Sequence, residues 1–237
     1  IGKKGMDYSF IAKQIKQNGE PAIVWLENAK KYGRMCEKPN WKDKEAKGVN
    51  PCAEQTLESY ELCCLSETFP SRHESYEEFE ETLKCAYLYA KAVTLINTQY
   101  KQTNAVMLKN RRIGISQTGI IEAFNRHGRS TMLEWCKKGY SFLKDLDEEY
   151  SKWLCVPQSI KLTTVKPSGT VSLLAGVSSG IHYPHSKYFI RRMRLSSNSD
   201  LIKLLEDCNF PIEKDKYSPN TLVVSFPIKK KYFRRGK

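Results

Sequence analysis

The chain has 237 residues, 40% of them hydrophobic and 27% charged, and a formal net charge of +13. This is the composition of a folded globular protein of one large or two small domains. It excludes a membrane-spanning helix, because no apolar run approaches the roughly 20 residues such a helix needs. The eight cysteines, at positions 36, 52, 63, 64, 85, 136, 155 and 208, form no Cys-x-x-Cys pair. That argues against a zinc ribbon, and without a signal-peptide pattern it argues against a disulfide scaffold. The expectation is a cytoplasmic protein with reduced, mostly buried thiols. The chain opens at Ile1 in mid-pattern, as a piece of a longer polypeptide does.

In chain order, residues 10–17 and 21–32 read as helices, the second with Ile23, Trp25, Leu26 and Ala29 at helical spacing. Residues 38–50 are polar and form a loop. The interrupted apolar stretch 57–69 reads as strand and loop. Ser75 with Glu78 three residues later forms a capping box. It opens an amphipathic helix that carries Phe79, Leu83, Ala86, Tyr87, Ala90 and Val93, with Cys85 on its apolar face, and runs to about residue 96. Residues 111–114 form a short strand or turn leading into 115–124. A long helix follows over 131–153, with Leu133, Trp135, Tyr140, Leu143 and Leu146 as its apolar positions. Residues 162–165 are β-rich, 171–175 start a helix, 199–206 are helical, and 221–226 form a strand. Alternating strands and helices predict an α/β fold. Residues 228–237 form a basic tail with Lys229, Lys230, Lys231, Arg234, Arg235 and Lys237.

Three local patterns carry chemistry. In Asn50-Pro51-Cys52-Ala53-Glu54, an extended backbone would turn the amide, thiol and carboxylate to one face, because strand side chains repeat every second residue. The competing reading is a turn opened by Asn-Pro. Lys166-Pro167-Ser168-Gly169-Thr170-Val171-Ser172 follows a β-rich run and precedes an apolar segment. Its N–H groups and hydroxyls suit an anion at a helix start, or simply cap that helix. His182 and His185 stand three apart around Pro184, which disfavours the helix a metal pair needs, so packing or supporting roles fit them better. Arg111, Arg112, Arg191, Arg192 and Arg194 either face phosphates or belong to solvated surface.

Six segments in order resemble the large catalytic subunit of ribonucleotide reductase, most closely its adenosylcobalamin-dependent class II branch. They are Asn50 to Glu54, Glu61-Leu62-Cys63-Cys64-Leu65, Asn104-Ala105-Val106-Met107, Asn110 to Ile115, Val165 to Ser172 and Gly180 to Ser186. The resemblance covers about residues 19–227. It implies a ten-stranded α/β barrel of two halves, with residues 1–237 in the second half and the radical cysteine on an inner finger loop. It implies that Cys52 becomes a thiyl radical and takes the substrate 3′-hydrogen, that Glu54 is the general base, and that Asn50 binds substrate hydroxyls. Cys63 is implied to be one half of a redox pair, and Ser168, Gly169, Thr170 and Val171 to be the substrate-phosphate loop. Cys64 stands where many relatives have Asn.

The partners implied are a ribonucleotide, a chain segment or second chain supplying the first barrel half, and a thioredoxin-like dithiol reductant. The cofactor implied is adenosylcobalamin. No resident metal ion, membrane or nucleic acid is expected. Two alternatives stand beside this reading: a catalytically incomplete nucleotide-binding or assembly fragment, and a class I-type subunit that needs a separate radical generator. A basic nucleic-acid binder rests on charge alone, with no accompanying motif.

Overall fold

The computed structural model describes residues 1–34, 36–230, 232 and 233. Of the basic tail, Lys231, Arg234, Arg235 and Lys237 lie outside the described residues. The chain divides into two compact units, Ile1–Ile181 and His182–Lys237.

The first unit contains helices α1 (Ser9–Asn18) and α2 (Leu26–Lys31), followed by a two-residue hairpin pair, β1 (Gly48–Val49) and β2 (Thr56–Leu57). Strand β3 (Leu65–Thr68) leads through a 3-10 turn at Pro70–Arg72 into α3 (Tyr76–Val93) and α4 (Lys101–Asn110). Strand β4 (Gly114–Gln117), α5 (Ile120–His127), α6 (Arg129–Trp153) and the single turn α7 (Val171–Leu174) complete it. β3 and β4 are parallel, in register from Leu65↔Gly114 to Thr68↔Gln117, and Thr163 adds a parallel bridge to Ile115. Parallel neighbours need a helical crossover, and α3 and α4 supply it.

Alternation along the strands gives the pair two chemically different faces. Cys64 and Ile115 join Phe79, Leu83, Tyr87, Met132, Trp135 and Leu143 in one buried cluster under α3 and α6. Burial of each large side chain there contributes about 1.5–3 kcal/mol. Leu65, Glu67, Gly114 and Ser116 take the opposite face.

Ser75 caps α3 as the sequence predicts, its hydroxyl accepting the Glu78 N–H at 3.4 Å. The Glu78 carboxylate accepts from Glu74 N at 2.7 Å, one residue earlier than a reciprocal box has it. Under the same helices a second buried knot forms. Lys91 Nζ donates to Asp147 at 2.8 Å, Ser151 at 2.9 Å, Ser159 at 3.0 Å and the Pro157 carbonyl at 3.2 Å. Burial pulls the Lys91 ammonium below its usual range, and the Asp147 carboxylate opposes that pull.

The second unit is an antiparallel sheet in the order β5 (Tyr188–Ser196), β7 (Thr221–Lys229), β6 (Ile212–Lys214), with helix α8 (Leu201–Asp207). Among the described residues, no helix is long and apolar enough to cross a membrane.

Several expectations need correction. Cys36, Cys85, Cys155 and Cys208 are exposed rather than buried, Cys136 is intermediate, and Cys64 is buried. Cys85 points outward because the buried stripe of α3 runs through Phe79, Leu83, Tyr87, Ala90 and Lys91. Leu133 is exposed, and Met132 holds the core position beside it on α6. Helix α2 is half the predicted length, and residues 101–110 are helical without having been predicted so.

Candidate functional site

The Asn50–Glu54 segment is the tip of the β1–β2 hairpin, whose register is Gly48↔Leu57 and Val49↔Thr56. Asn50 closes it with three bonds. Its main-chain N–H donates to Gln55 O at 2.9 Å, its carbonyl accepts from Ala53 N at 2.8 Å, and its side-chain Oδ1 accepts from Gln55 N at 3.1 Å. Pro51 supplies the fixed φ of the second turn position, and Ala53 lies in the left-handed region at φ 60°. The extended geometry that aligned Asn50, Cys52 and Glu54 every second residue is therefore corrected: the segment is a turn. A short polar side chain that bonds its own backbone outcompetes the strand conformation here.

The turn presents the three groups differently. Cys52 is exposed at the tip and Asn50 is buried. Glu54 is half-buried, with both carboxylate oxygens shielded and meeting no donor among the described residues.

A buried ion network anchors the hairpin. The Arg112 side chain, 0% exposed, donates through Nη1 and Nη2 to Asp43 at 3.0 and 2.6 Å. Its Nε donates to Glu61 at 3.0 Å, and Nη1 reaches the Thr56 hydroxyl on β2 at 3.1 Å. Lys161 Nζ approaches Asp43 at 3.0 Å and Thr56 Oγ1 at 3.0 Å, while Asn110 Nδ2 donates to Glu61 at 3.0 Å. Burial alone would raise the Asp43 carboxyl, but the Arg112 guanidinium, the Thr56 hydroxyl and Lys161 outweigh it and hold it below the usual carboxylate range. Arg112 is thus neither phosphate-facing nor solvated. Arg111 is buried as well, with its guanidinium donating to the Thr94 carbonyl.

The hairpin is held against the polar face of β3 and β4. Thr164 donates its hydroxyl to the Glu54 carbonyl. A Cβ on Gly114 would meet Leu65 Cδ2 at 2.6 Å, Thr164 Cγ2 at 2.9 Å and Gln55 Nε2 at 3.0 Å, so only glycine admits this approach. Beyond the C-terminal ends of the strands, Thr118 N donates to Thr68 O at 3.0 Å and Gly119 N to Ser178 O at 3.0 Å. The Lys166–Val171 loop joins the same edge. Lys166 N donates to Ser116 Oγ at 2.9 Å, and Ser168 donates its hydroxyl to Glu67 Oε2 on β3. Crevices at the carboxyl ends of parallel strands are where α/β folds bind ligands.

Of the predicted phosphate-loop residues, Ser168 is buried at φ 51°, Gly169 and Thr170 are exposed, and Val171 opens α7. With only four residues in α7, the helix dipole contributes little.

Glu67 is the residue that motif reading missed. Burial is the main cause that raises its carboxyl above the usual range, the Glu54 carboxylate adds to this, and Ser168, Ser116 and Lys166 oppose it without cancelling it. Among the described residues, its Oε1 has no hydrogen-bond partner. The signal available in the sequence was a carboxylate at a strand position two residues from Leu65, on the face opposite Cys64.

Just before β3, Cys64 is buried in the core cluster. Burial raises the Cys64 thiol to about 11, with Cys63 and Glu61 adding to it. Cys63 is exposed. Glu54 of the hairpin, Glu67 of β3 and Ser168 of the loop are thus brought together.

In the second unit, His182 and His185 are exposed, and the His185 ring lies 4.7 Å from that of Phe189. Arg192 pairs with Glu213 and Arg194 with Asp215 across the sheet. The described residues hold no group of three His, Cys, Asp or Glu side chains arranged for a metal ion.

No family model matches the chain. It is 52% identical over 225 residues to a probable adenosylcobalamin-dependent ribonucleoside-triphosphate reductase of Dictyostelium discoideum, covering 94% of this chain and 30% of the relative. Identity is 46% over 229 residues to the adenosylcobalamin-dependent enzyme of Euglena gracilis, covering 96% of this chain and 31% of that one. Identity to the corresponding Lacticaseibacillus paracasei enzyme is 36% over 249 residues, covering 94% and 33%. The chain therefore spans about a third of the length of these relatives. A crystal structure of a B12-dependent class II ribonucleotide reductase superposes with a TM-score of 0.79 at 35% identity, over 94% of this chain and 35% of that one. The alpha subunit of the Actinobacillus ureae class Id enzyme shares the fold, with a TM-score of 0.52 at 18% identity over 71% of this chain and 37% of that one.

Proposed function

We propose that this chain, which belongs to the adenosylcobalamin-dependent ribonucleotide reductases and spans about a third of their length, carries the thiol, the base and the phosphate loop of ribonucleotide reduction. The observation that carries the reading is the hairpin. It presents Cys52 at an exposed tip while holding the Glu54 carboxylate shielded and unpartnered, on the strand edge that also receives Ser168.

In this reading the Asn50–Gln55 turn is the inner finger loop, and β3 and β4 belong to the second half of a ten-stranded barrel. The nucleotide's phosphates lie on Ser168, Gly169, Thr170 and Val171. As a thiyl radical, Cys52 takes the 3′-hydrogen, and Glu54 takes the 3′-hydroxyl proton. A carboxylate with no internal partner is free to accept one. Asn50 has its carbonyl oxygen engaged by the turn, so the donor end of its amide serves a substrate oxygen. Cys63 supplies one of the two thiols whose oxidation to a disulfide accompanies loss of the 2′-hydroxyl as water. Its partner thiol comes from the remaining barrel half, and a thioredoxin-like dithiol restores the pair.

Adenosylcobalamin, when bound, would supply the one-electron chemistry that turns the Cys52 thiol into a thiyl. An exposed Cys52 sulfur meets the access this requires of the chain. The test is a chimera of the Dictyostelium relative in which this chain replaces the segment it matches. With adenosylcobalamin and no metal-cofactor subunit, it should reduce ribonucleotide, and more slowly when the 3′-position carries deuterium. Reduction that requires a second, metal-bearing subunit would assign the class I mechanism instead.

A further inference from the structure

The Ser168 hydroxyl has one hydrogen, and in the ligand-free chain that hydrogen goes to Glu67 Oε2. Among the described residues, the only other acceptor it approaches is the Lys166 carbonyl at 3.5 Å. A serine committed in this way cannot donate to a phosphate oxygen, and an ionised carboxylate beside it repels the phosphate. The charged groups facing Glu67 are Glu54 from the hairpin and Lys166 from the loop, and Ser168 and Ser116 are its neutral neighbours. Among the described residues, no hydrogen-bond partner reaches Glu67 Oε1 or either Glu54 oxygen. Burial, with a second carboxylate nearby, favours a proton on Glu67.

We propose that Glu67 is a positioning residue that switches the Ser168 hydroxyl from an internal bond to the substrate's anion, so that the anion binds together with one proton. The inference rests on the phosphate-loop reading above. The proton comes from solvent and binds a Glu67 oxygen. The resulting carboxylic acid donates to Ser168 Oγ, and the Ser168 O–H turns to a phosphate oxygen. No bond to carbon changes. Charge is conserved, because one proton enters with each anion bound.

The raised Glu67 carboxyl agrees with this coupling. Where Glu67 is ionised in the free site, wild-type affinity falls toward tenfold per pH unit, the slope of one linked proton.

The test is titration calorimetry of the full chain with inorganic tripolyphosphate, run in buffers of different ionisation enthalpy from pH 5 to 8. Glu67→Gln is measured in parallel. The ligand's own ionisation is common to both proteins and cancels in the difference. The expected result is about one more proton taken up per anion by wild type than by Glu67→Gln, with the variant's affinity lacking the extra pH slope. Equal proton uptake and equal slopes would overturn the inference. Ser168→Ala separates the two levels. If it weakens binding while Glu67→Gln keeps the wild-type slope, only the role of Glu67 is refuted. If wild type and Ser168→Ala bind equally, or neither binds, the phosphate-loop reading fails and this inference with it.

Discussion

Replacing Arg112 by Met removes the centre of the network that seats the hairpin. The change deletes two bonds to Asp43, one to Glu61 and one to Thr56. It leaves two carboxylates, 3% and 6% exposed, that must stay buried. Removing one partner of a buried ion pair costs about 3–5 kcal/mol. Two carboxylates are stranded, but Lys161 stays 3.0 Å from Asp43 and Asn110 stays 3.0 Å from Glu61, so the cost should remain within that range rather than double. Against a total stability of about 5–15 kcal/mol this is a large fraction. With a urea slope of about 2 kcal/mol per molar, the midpoint falls by roughly 2 M. The assay is urea unfolding followed by far-UV circular dichroism, with the slope m checked for constancy. Lys152→Met, which breaks an exposed pair with Glu148, is the control and should not shift the midpoint measurably. A loss under about 1 kcal/mol at Arg112, the size of a surface pair, would refute the claim that this network holds the hairpin. The pH dependence has a definite sign. Asp43 is lowered on folding, so its contribution is present above the ordinary carboxylate range and is lost as the pH falls through the lowered value. Asp43→Asn should flatten that acid limb.

Gly114→Ala places a Cβ 2.6 Å from Leu65 and 2.9 Å from Thr164, so thermal unfolding should show a loss of about 1–3 kcal/mol; an unchanged melting temperature would deny the close packing of Leu65 and Thr164 over Gly114. For Glu67, raised on folding, stability is fully present below the ordinary carboxylate range and declines as the pH rises through the raised value, so Glu67→Gln should remove that decline in melts from pH 4 to 8. Maleimide at pH 8 should label Cys52 and Cys63, which are exposed, and spare Cys64, whose thiol stands at about 11, until denaturant is added. Peptide mapping reads the sites directly, and early labelling of Cys64 would contradict its place in the core.

Much of the helical scaffold could be read from periodicity. The capped helix from Ser75 and the long helix to Trp153 are where the sequence puts them, because each carries a stripe wide enough to bury. Leu133 and Cys85 face outward against the pattern because two apolar residues sit side by side and only packing decides which faces inward. The site was legible as chemistry but not as geometry. Asn50, Cys52 and Glu54 look like a strand by period two, yet Asn50 bonds its own turn and Ala53 goes left-handed. Arg112 lies in the Asn110 to Ile115 segment, but nothing in that segment marks it as the centre of a buried ion network, and Glu67 carried no motif. Their meaning depends on Asp43, Glu61 and Ser168, which lie between 51 and 101 residues away in sequence. Long-range pairing of buried charges leaves no local pattern to read.

The central claim is that the Cys52 sulfur at the hairpin tip is the group that attacks the ribose. The most direct measurement is deoxyribonucleotide formation by the chimera carrying this chain, compared with the same chimera bearing Cys52→Ser, with tripolyphosphate binding and urea midpoint measured on both. The account predicts that the serine form folds and binds like the parent but makes no product above background. Product formation by Cys52→Ser at the parent's rate would contradict it.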